Sequence, residues 1–124
     1  MTWYAAHVIV SIRPIVQDEE PISVYENIIL MEADDANKAR DKANLASTRE
    51  PGADEGLMIG DKRARTVVEG VRKVVAVSNP WPLDQDSDRP VAGTEITYSK
   101  LELKDDKALR DFVEGKEVEI TYLE

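Results

Sequence analysis

The sequence predicts an α+β fold: a mostly antiparallel sheet of about five strands carrying two helices, in the order ββαββαβ. Three observations lead there. β-Branched and aromatic residues recur with a period of two over five stretches, the period of a strand. Two further stretches open on aspartate and continue with apolar residues three and four apart, the period of a helix. Glycine and proline punctuate the gaps between them. Strands that neighbour each other in sequence, with helices set to one side, define the class.

Residues 3–12 form the first strand. Tyr4, Ala6, Val8, Val10 and Ile12 line one face, and Trp3, Ala5, His7 and Ile9 the other. Both faces are apolar, which suits a central strand covered on two sides. Pro14 ends it, because proline offers no amide to a ladder. Residues 17–21 are polar and read as a turn. Residues 23–32 form the second strand, with Val24, Ile28 and Leu30 on one face and Tyr25, Ile29 and Met31 on the other; an antiparallel hairpin with the first is the simplest pairing.

Asp34 is placed to cap a helix whose Ala36, Ala39, Ala43 and Ala46 make a narrow stripe of small side chains, suited to close packing on a sheet. Residues 47–60 lose all periodicity around Pro51, Gly52, Gly56 and Gly60. Residues 65–77 carry six valines and form the third strand. Gly70 inside it marks a bulge. A long loop follows, holding Pro80-Trp81-Pro82. The fourth strand is residues 94–103, also bulged because its apolar phase shifts between Tyr98 and Leu101. Asp105 caps a second helix with Ala108, Leu109, Phe112 and Val113 inward, and Gly115 stops it. Residues 117–123 supply the fifth strand. The two strand-to-helix junctions share Lys-Ala and Arg-Asp pairs, at Lys38-Ala39-Arg40-Asp41 and in residues 107–111, which shared junction chemistry accounts for more readily than a duplicated unit does.

At 124 residues, the chain is one domain's worth. Hydrophobic residues make up 42%, enough for one core. No cysteine is present, which removes disulfides, thiolate metal sites and cysteine nucleophiles together. The single histidine, His7, rules out a three-histidine zinc site. A net charge of −9 disfavours phosphate backbones and anionic membranes, so neither nucleic acid nor membrane is expected as a partner. No signal peptide or membrane span is evident, and the expected location is the cytoplasm.

Residues 3–10 resemble the first strand of a family of small uncharacterised bacterial proteins, domain-of-unknown-function family 4288. Tyr25-Glu26-Asn27-Ile28-Ile29-Leu30-Met31-Glu32-Ala33 and the alanine-rich helix are similar to that family's second strand and helix. The valine strand and Gly93-Thr94-Glu95-Ile96-Thr97-Tyr98-Ser99 resemble its closing hairpin. The likeness covers residues 3–103, and 105–124 look like an extension. It implies a compact α+β domain and carries no activity, cofactor or catalytic residue.

Few residues suggest chemistry. Asp84, Asp86, Asp88 and Glu95 match positions 1, 3, 5 and 12 of a calcium loop, where alternate oxygen ligands converge on one hard cation. Arg89 stands where that loop needs glycine, and strands flank it where helices belong. Lys62, Arg63, Arg65, Arg72 and Lys73 form a basic cluster suited to an anion, although Arg72 and Lys73 are expected on opposite faces of their strand. Phosphate-binding glycine loops are absent. Trp81, stiffened by two prolines, is either a partner anchor or a plug for the core. Leu57, Met58 and Ile59 either cover a sheet edge or meet another chain. His7 reads as a packing residue before an acid or base.

Two function classes follow, and no cofactor is expected for either. The favoured one is a non-enzymatic interaction module, self-associating or bound to a protein partner, one form of which is an acidic immunity or antitoxin-like protein that neutralises a basic toxin. The alternative is a small-ligand binder or enzyme with a pocket near His7, Tyr25, Tyr98 and Arg72, with Lys73 beside it.

Overall fold

A computed structural model of the chain describes residues 1–16, 22–49 and 52–124. The turn expected at 17–21 lies outside these, as does Pro51. Strand β1 is Thr2–Pro14, β2 Ser23–Ala33, helix α1 Ala36–Ala46, β3 Met58–Ile59 and β4 Lys62–Ala76. Strand β5 is Leu101–Glu102, helix α2 Asp106–Val113 and β6 Thr121–Tyr122. The α+β class holds, with antiparallel pairing throughout.

Four strands make one sheet in the order β2-β1-β4-β3. Strand β1 is flanked on both sides, and its Ala5, Ala6, His7, Val8 and Ser11 are buried. Paired residues share a face of an antiparallel sheet. Val8 therefore sits with Asn27 and Val71, and His7 with Ile28 and Lys73 on the opposite face. Helix α1 lies over the Val8 face, in contact with β1, β2 and β4. Ala39 and Ala43 are fully buried there, whereas Ala36 and Ala46 are exposed; only the middle of the expected stripe touches the sheet. The cap is Asp35, not Asp34: Asp35 Oδ1 accepts the Lys38 amide at 2.8 Å, while Asp34 pairs with the Lys38 ammonium.

Strand β4 starts earlier than expected, because Gly60 and Asp61 close a two-residue loop that pairs Ile59 with Lys62 and Met58 with Arg63. Its register against β1 slips twice, between His7 and Val8 and between Ile9 and Val10. Arg72 and Glu69 are the surplus residues, one on each side of Gly70, whose φ of +146° lies where side chains are strained.

The C-terminal third departs from the expected strands. Residues 94–103 contribute a bridge from Glu95 to Ser78 and the two residues of β5, and 117–123 only β6. Side chains take the backbone groups a ladder would use: Lys73 Nζ donates to the Tyr98 carbonyl, and the Lys100 amide donates to the Glu124 carboxylate. The result is a four-stranded sheet plus a separate β5–β6 ribbon. Helix α2 begins as expected, with Asp105 Oδ1 accepting the Ala108 amide. It lies beside the ribbon, not on the large sheet. Ala108 alone is buried, and Leu109, Phe112 and Val113 are exposed, because two-residue strands offer too little surface to cover them. Among the described residues, no helix is long and apolar enough to cross a membrane.

Candidate functional site

The polar residues gather on the sheet face opposite α1. His7 of β1 has no solvent exposure. Its Nε2 lies 2.5 Å from Thr97 Oγ1, and its Nδ1 lies 3.3 Å from Glu26 Oε1 of β2. The second contact is an ion-pair distance without hydrogen-bond alignment, so Nδ1 is buried with no hydrogen-bond partner. On the far side of Glu26, Arg72 Nη1 stands 3.6 Å from Oε2 and is likewise buried without a hydrogen bond. One carboxylate thus faces two buried cationic or ionisable groups, neither of which it fully satisfies.

The bulge at Arg72 builds the rest. A surplus residue turns two successive side chains to the same side. Arg72 and Lys73, expected on opposite faces, both reach Glu124: Arg72 Nη2 donates to its backbone oxygen at 2.7 Å and Lys73 Nζ to its Oε1 at 2.5 Å. The Arg72 guanidinium lies 4.6 Å from the centre of the Tyr122 ring, and Lys73 Nζ 5.4 Å from that of Tyr98. The hydrogen bond from Lys73, then the Lys100 amide, hold the Glu124 carboxyl below its ordinary value. Chemically this is a clasp in which each cation already holds a carboxylate, and an incoming anion would have to displace Glu26 or Glu124 to use either one.

Of the residues expected around a pocket, His7, Arg72, Lys73 and Tyr98 are brought together, and Tyr25 is not. Tyr25 pairs with Val10, on the α1 face. A cavity of about 260 Å³ under the end of α1, between Val8, Val10, Asn27 and Thr48, and one of about 490 Å³ between α2 and the ribbon are lined by neither His7 nor Arg72. Lys62 and Arg63 sit at the β3–β4 hairpin and Arg65 opposite Arg13, so the basic residues spread along β4 instead of forming one patch.

A second polar group was not legible in the sequence. Ser11, 1% exposed, donates to Glu69 Oε2 at 2.5 Å, and Arg13 donates to both. The Ser11 hydroxyl, followed by Arg13, draws the Glu69 carboxyl down from its ordinary value. The one available signal was Glu69 beside Gly70, at a bulge.

The acidic loop is organised by its own side chains. Asn79 is the hub: its amide nitrogen donates to the Asp88 carbonyl at 3.0 Å, its Oδ1 accepts from Thr94, and Gln85 bonds both its backbone N–H and C=O. Asp84 Oδ1 accepts the Asp86 and Ser87 amides, and Asp88 Oδ2 the Asp84 amide. Thr2 donates to Asp86, and Glu95 pairs through its backbone with Ser78. Among the described residues, no three acidic or histidine side chains converge as metal ligands. Trp81 projects from this loop with 93% of its surface exposed, so it plugs nothing. Leu57 and Ile59 are half-buried at the β3–β4 edge, and Met58 is exposed.

Comparison with family models, with curated proteins and with solved structures finds no match to this chain.

Proposed function

We propose that this protein is a non-enzymatic interaction module, working through its surfaces on a protein partner or on copies of itself. The observation that supports the reading is the amount of surface left uncovered. The chain exposes 9032 Å², where a compact monomer of 13.9 kDa exposes about 6,700 Å². Large apolar side chains lie in the uncovered surface: Val24, Tyr25, Ile28 and Leu30 on β2, Trp81 on its braced loop, and Leu109, Phe112 and Val113 on α2. Large exposed apolar side chains gathered on particular elements mark contact surfaces. The resemblance of residues 3–103 to domain-of-unknown-function family 4288 is proposed alongside and adds no activity. The negative charge favours a basic protein partner, as an immunity-like protein would have.

The test is affinity capture of the tagged chain from its native cells, comparing wild type with Trp81→Ala. A protein enriched by the wild type and lost with the variant, and then bound by the two purified proteins alone, supports the reading. A wild type that is monomeric at high concentration and enriches nothing overturns it.

A second reading, a small-ligand site, is favoured by His7 Nδ1 and Arg72 Nη1, which stand on either side of Glu26 without a hydrogen bond. Melting scans with phosphate and simple carboxylates test it: a rise in midpoint lost in Arg72→Gln supports it, and no rise at millimolar anion overturns it.

A further inference from the structure

We propose that β2 is the contact edge of a symmetric dimer, in which Ser23–Met31 stretches of two copies pair antiparallel about Asn27 and join two four-stranded sheets into one of eight. This rests on the interaction reading above and names its partner as a second copy of the chain.

Among the described residues, strand β2 is an outer strand of the sheet, eleven residues long, and β1 is its one strand neighbour. A long outer strand exposes a row of backbone donors and acceptors that another strand can pair with. The direction of that row can be read from β1. The Trp3 carbonyl accepts from Val77, and the Ile15 amide donates to Arg63. Odd-numbered residues of β1 therefore turn their backbone groups toward β4, and even-numbered ones toward β2. Even residues of β1 lie opposite odd residues of β2, as Val8 lies opposite Asn27. The backbone groups of Val24, Glu26, Ile28 and Leu30 thus point away from the sheet. Lys42 Nζ donates to the Glu32 carbonyl at 2.6 Å, which marks where the open stretch ends.

Centring the pair on Asn27 uses this stretch fully. Val24 then faces Leu30 of the second copy, and Glu26 faces Ile28, both through outward-pointing backbone groups. On the α1 face, Tyr25 meets Ile29 and Asn27 meets Asn27. Aromatic–aliphatic and aliphatic pairs directly opposite each other are favourable, and like charges opposite each other are not. Centring on Ile29 would set Glu26 against Glu32, and centring on Glu26 would set it against itself; the Asn27 register avoids both. The acid within the stretch is also turned inward, to His7 and Arg72.

The amount of surface agrees. A standard interface buries about 800 Å² per partner; the uncovered excess of the whole chain is larger, and β2 is one of the elements that carry it. Val24, Tyr25, Ile28 and Leu30 are 56, 54, 44 and 39% exposed and supply the apolar centre.

Sedimentation and light scattering on the purified chain test the edge, and single-residue chemistry tests the register. The wild type is expected at twice 13.9 kDa at micromolar concentration. Asn27→Cys provides the chain's single cysteine, at a directly opposed position without ladder hydrogen bonds, where a disulfide can form; under oxidation it should become a covalent dimer. Val24→Glu with Leu30→Glu places acids face to face and should yield a folded monomer. Val24→Lys with Leu30→Glu should restore the dimer, because each lysine meets a glutamate. Circular dichroism confirms folding of each variant. A wild-type dimer in which Asn27→Cys does not cross-link and the double glutamate stays dimeric overturns this interface and leaves the module reading standing. A monomeric wild type overturns the dimer, and the module reading then depends on the capture experiment alone.

Discussion

His7 and Thr97, ninety positions apart in the chain, are joined by a 2.5 Å contact between Nε2 and Oγ1 that ties the centre of the sheet to the segment crossing it. It is the one hydrogen bond of the ring, because Nδ1, although 3.3 Å from Glu26 Oε1, is buried without one. Thr97→Val keeps the shape and removes the hydroxyl, leaving both ring nitrogens of a fully buried histidine without a hydrogen bond. The expected loss is about 1–3 kcal/mol in urea unfolding, with Thr97→Ser close to wild type. Equal stability of the valine and serine variants would show that the contact contributes nothing.

Asn79 and Trp81 should respond in opposite ways although two positions separate them. Asn79→Ala removes the hub from buried donors and acceptors, and should cost about 1–3 kcal/mol. Trp81→Ala changes an exposed side chain and should stay within about 0.5 kcal/mol of wild type. Paired melting curves decide it: a large loss for Trp81→Ala would mean that the indole is covered in solution.

Acid should weaken the fold through three carboxylates. Glu69 and Glu124 are held below the ordinary glutamate value of 4.5 by Ser11 and by Lys73 respectively, and Asp54 below 3.8 by the Thr66 amide and hydroxyl. The folded state takes up these protons less readily than the unfolded chain. Their contribution is therefore complete above about pH 4.5 and is lost as pH falls through the depressed folded values. Melting midpoints followed from neutral pH into acid should fall in that window, and the double variant Glu69→Gln, Glu124→Gln should flatten the fall. An unchanged acid limb would remove these two groups as its cause.

Gly70→Ala should destabilise even though open space surrounds the position. The cost comes from φ of +146°, where a β-carbon is strained, and should be about 1–2 kcal/mol by denaturant titration. A neutral or stabilising outcome would mean that the bulge relaxes into a regular ladder.

The first half of the fold was legible because long strands announce themselves. Residues 3–12 and 23–32 have the period of two over enough positions to exclude a helix, and Asp105 carries its cap chemistry locally. What escaped was decided by partners distant in sequence. Residues 94–103 have strand composition, yet Lys73 and Glu124 take their backbone groups. Leu109 and Phe112 have a core pattern, but no broad surface lies under α2 to receive them. The Glu26–Arg72 pairing depends on a bulge; Gly70 advertised the irregularity without saying that a surplus residue stood on each side of it. The same bulge reversed the expected divergence of Arg72 and Lys73.

The two surplus residues also change how the valines of β4 must be counted. Val68, Val71 and Val74 lie opposite Val10, Val8 and Ala6, three apart on β4 against two apart on β1. Each bulge absorbs one residue and hands the next valine to the same layer. Excising Glu69 or Arg72 would therefore shorten the chain by one position while every valine kept its side, whereas excision elsewhere in the strand would turn over those on one side of the cut. Length variation in this strand has two permitted addresses, and relatives with shorter versions should differ there.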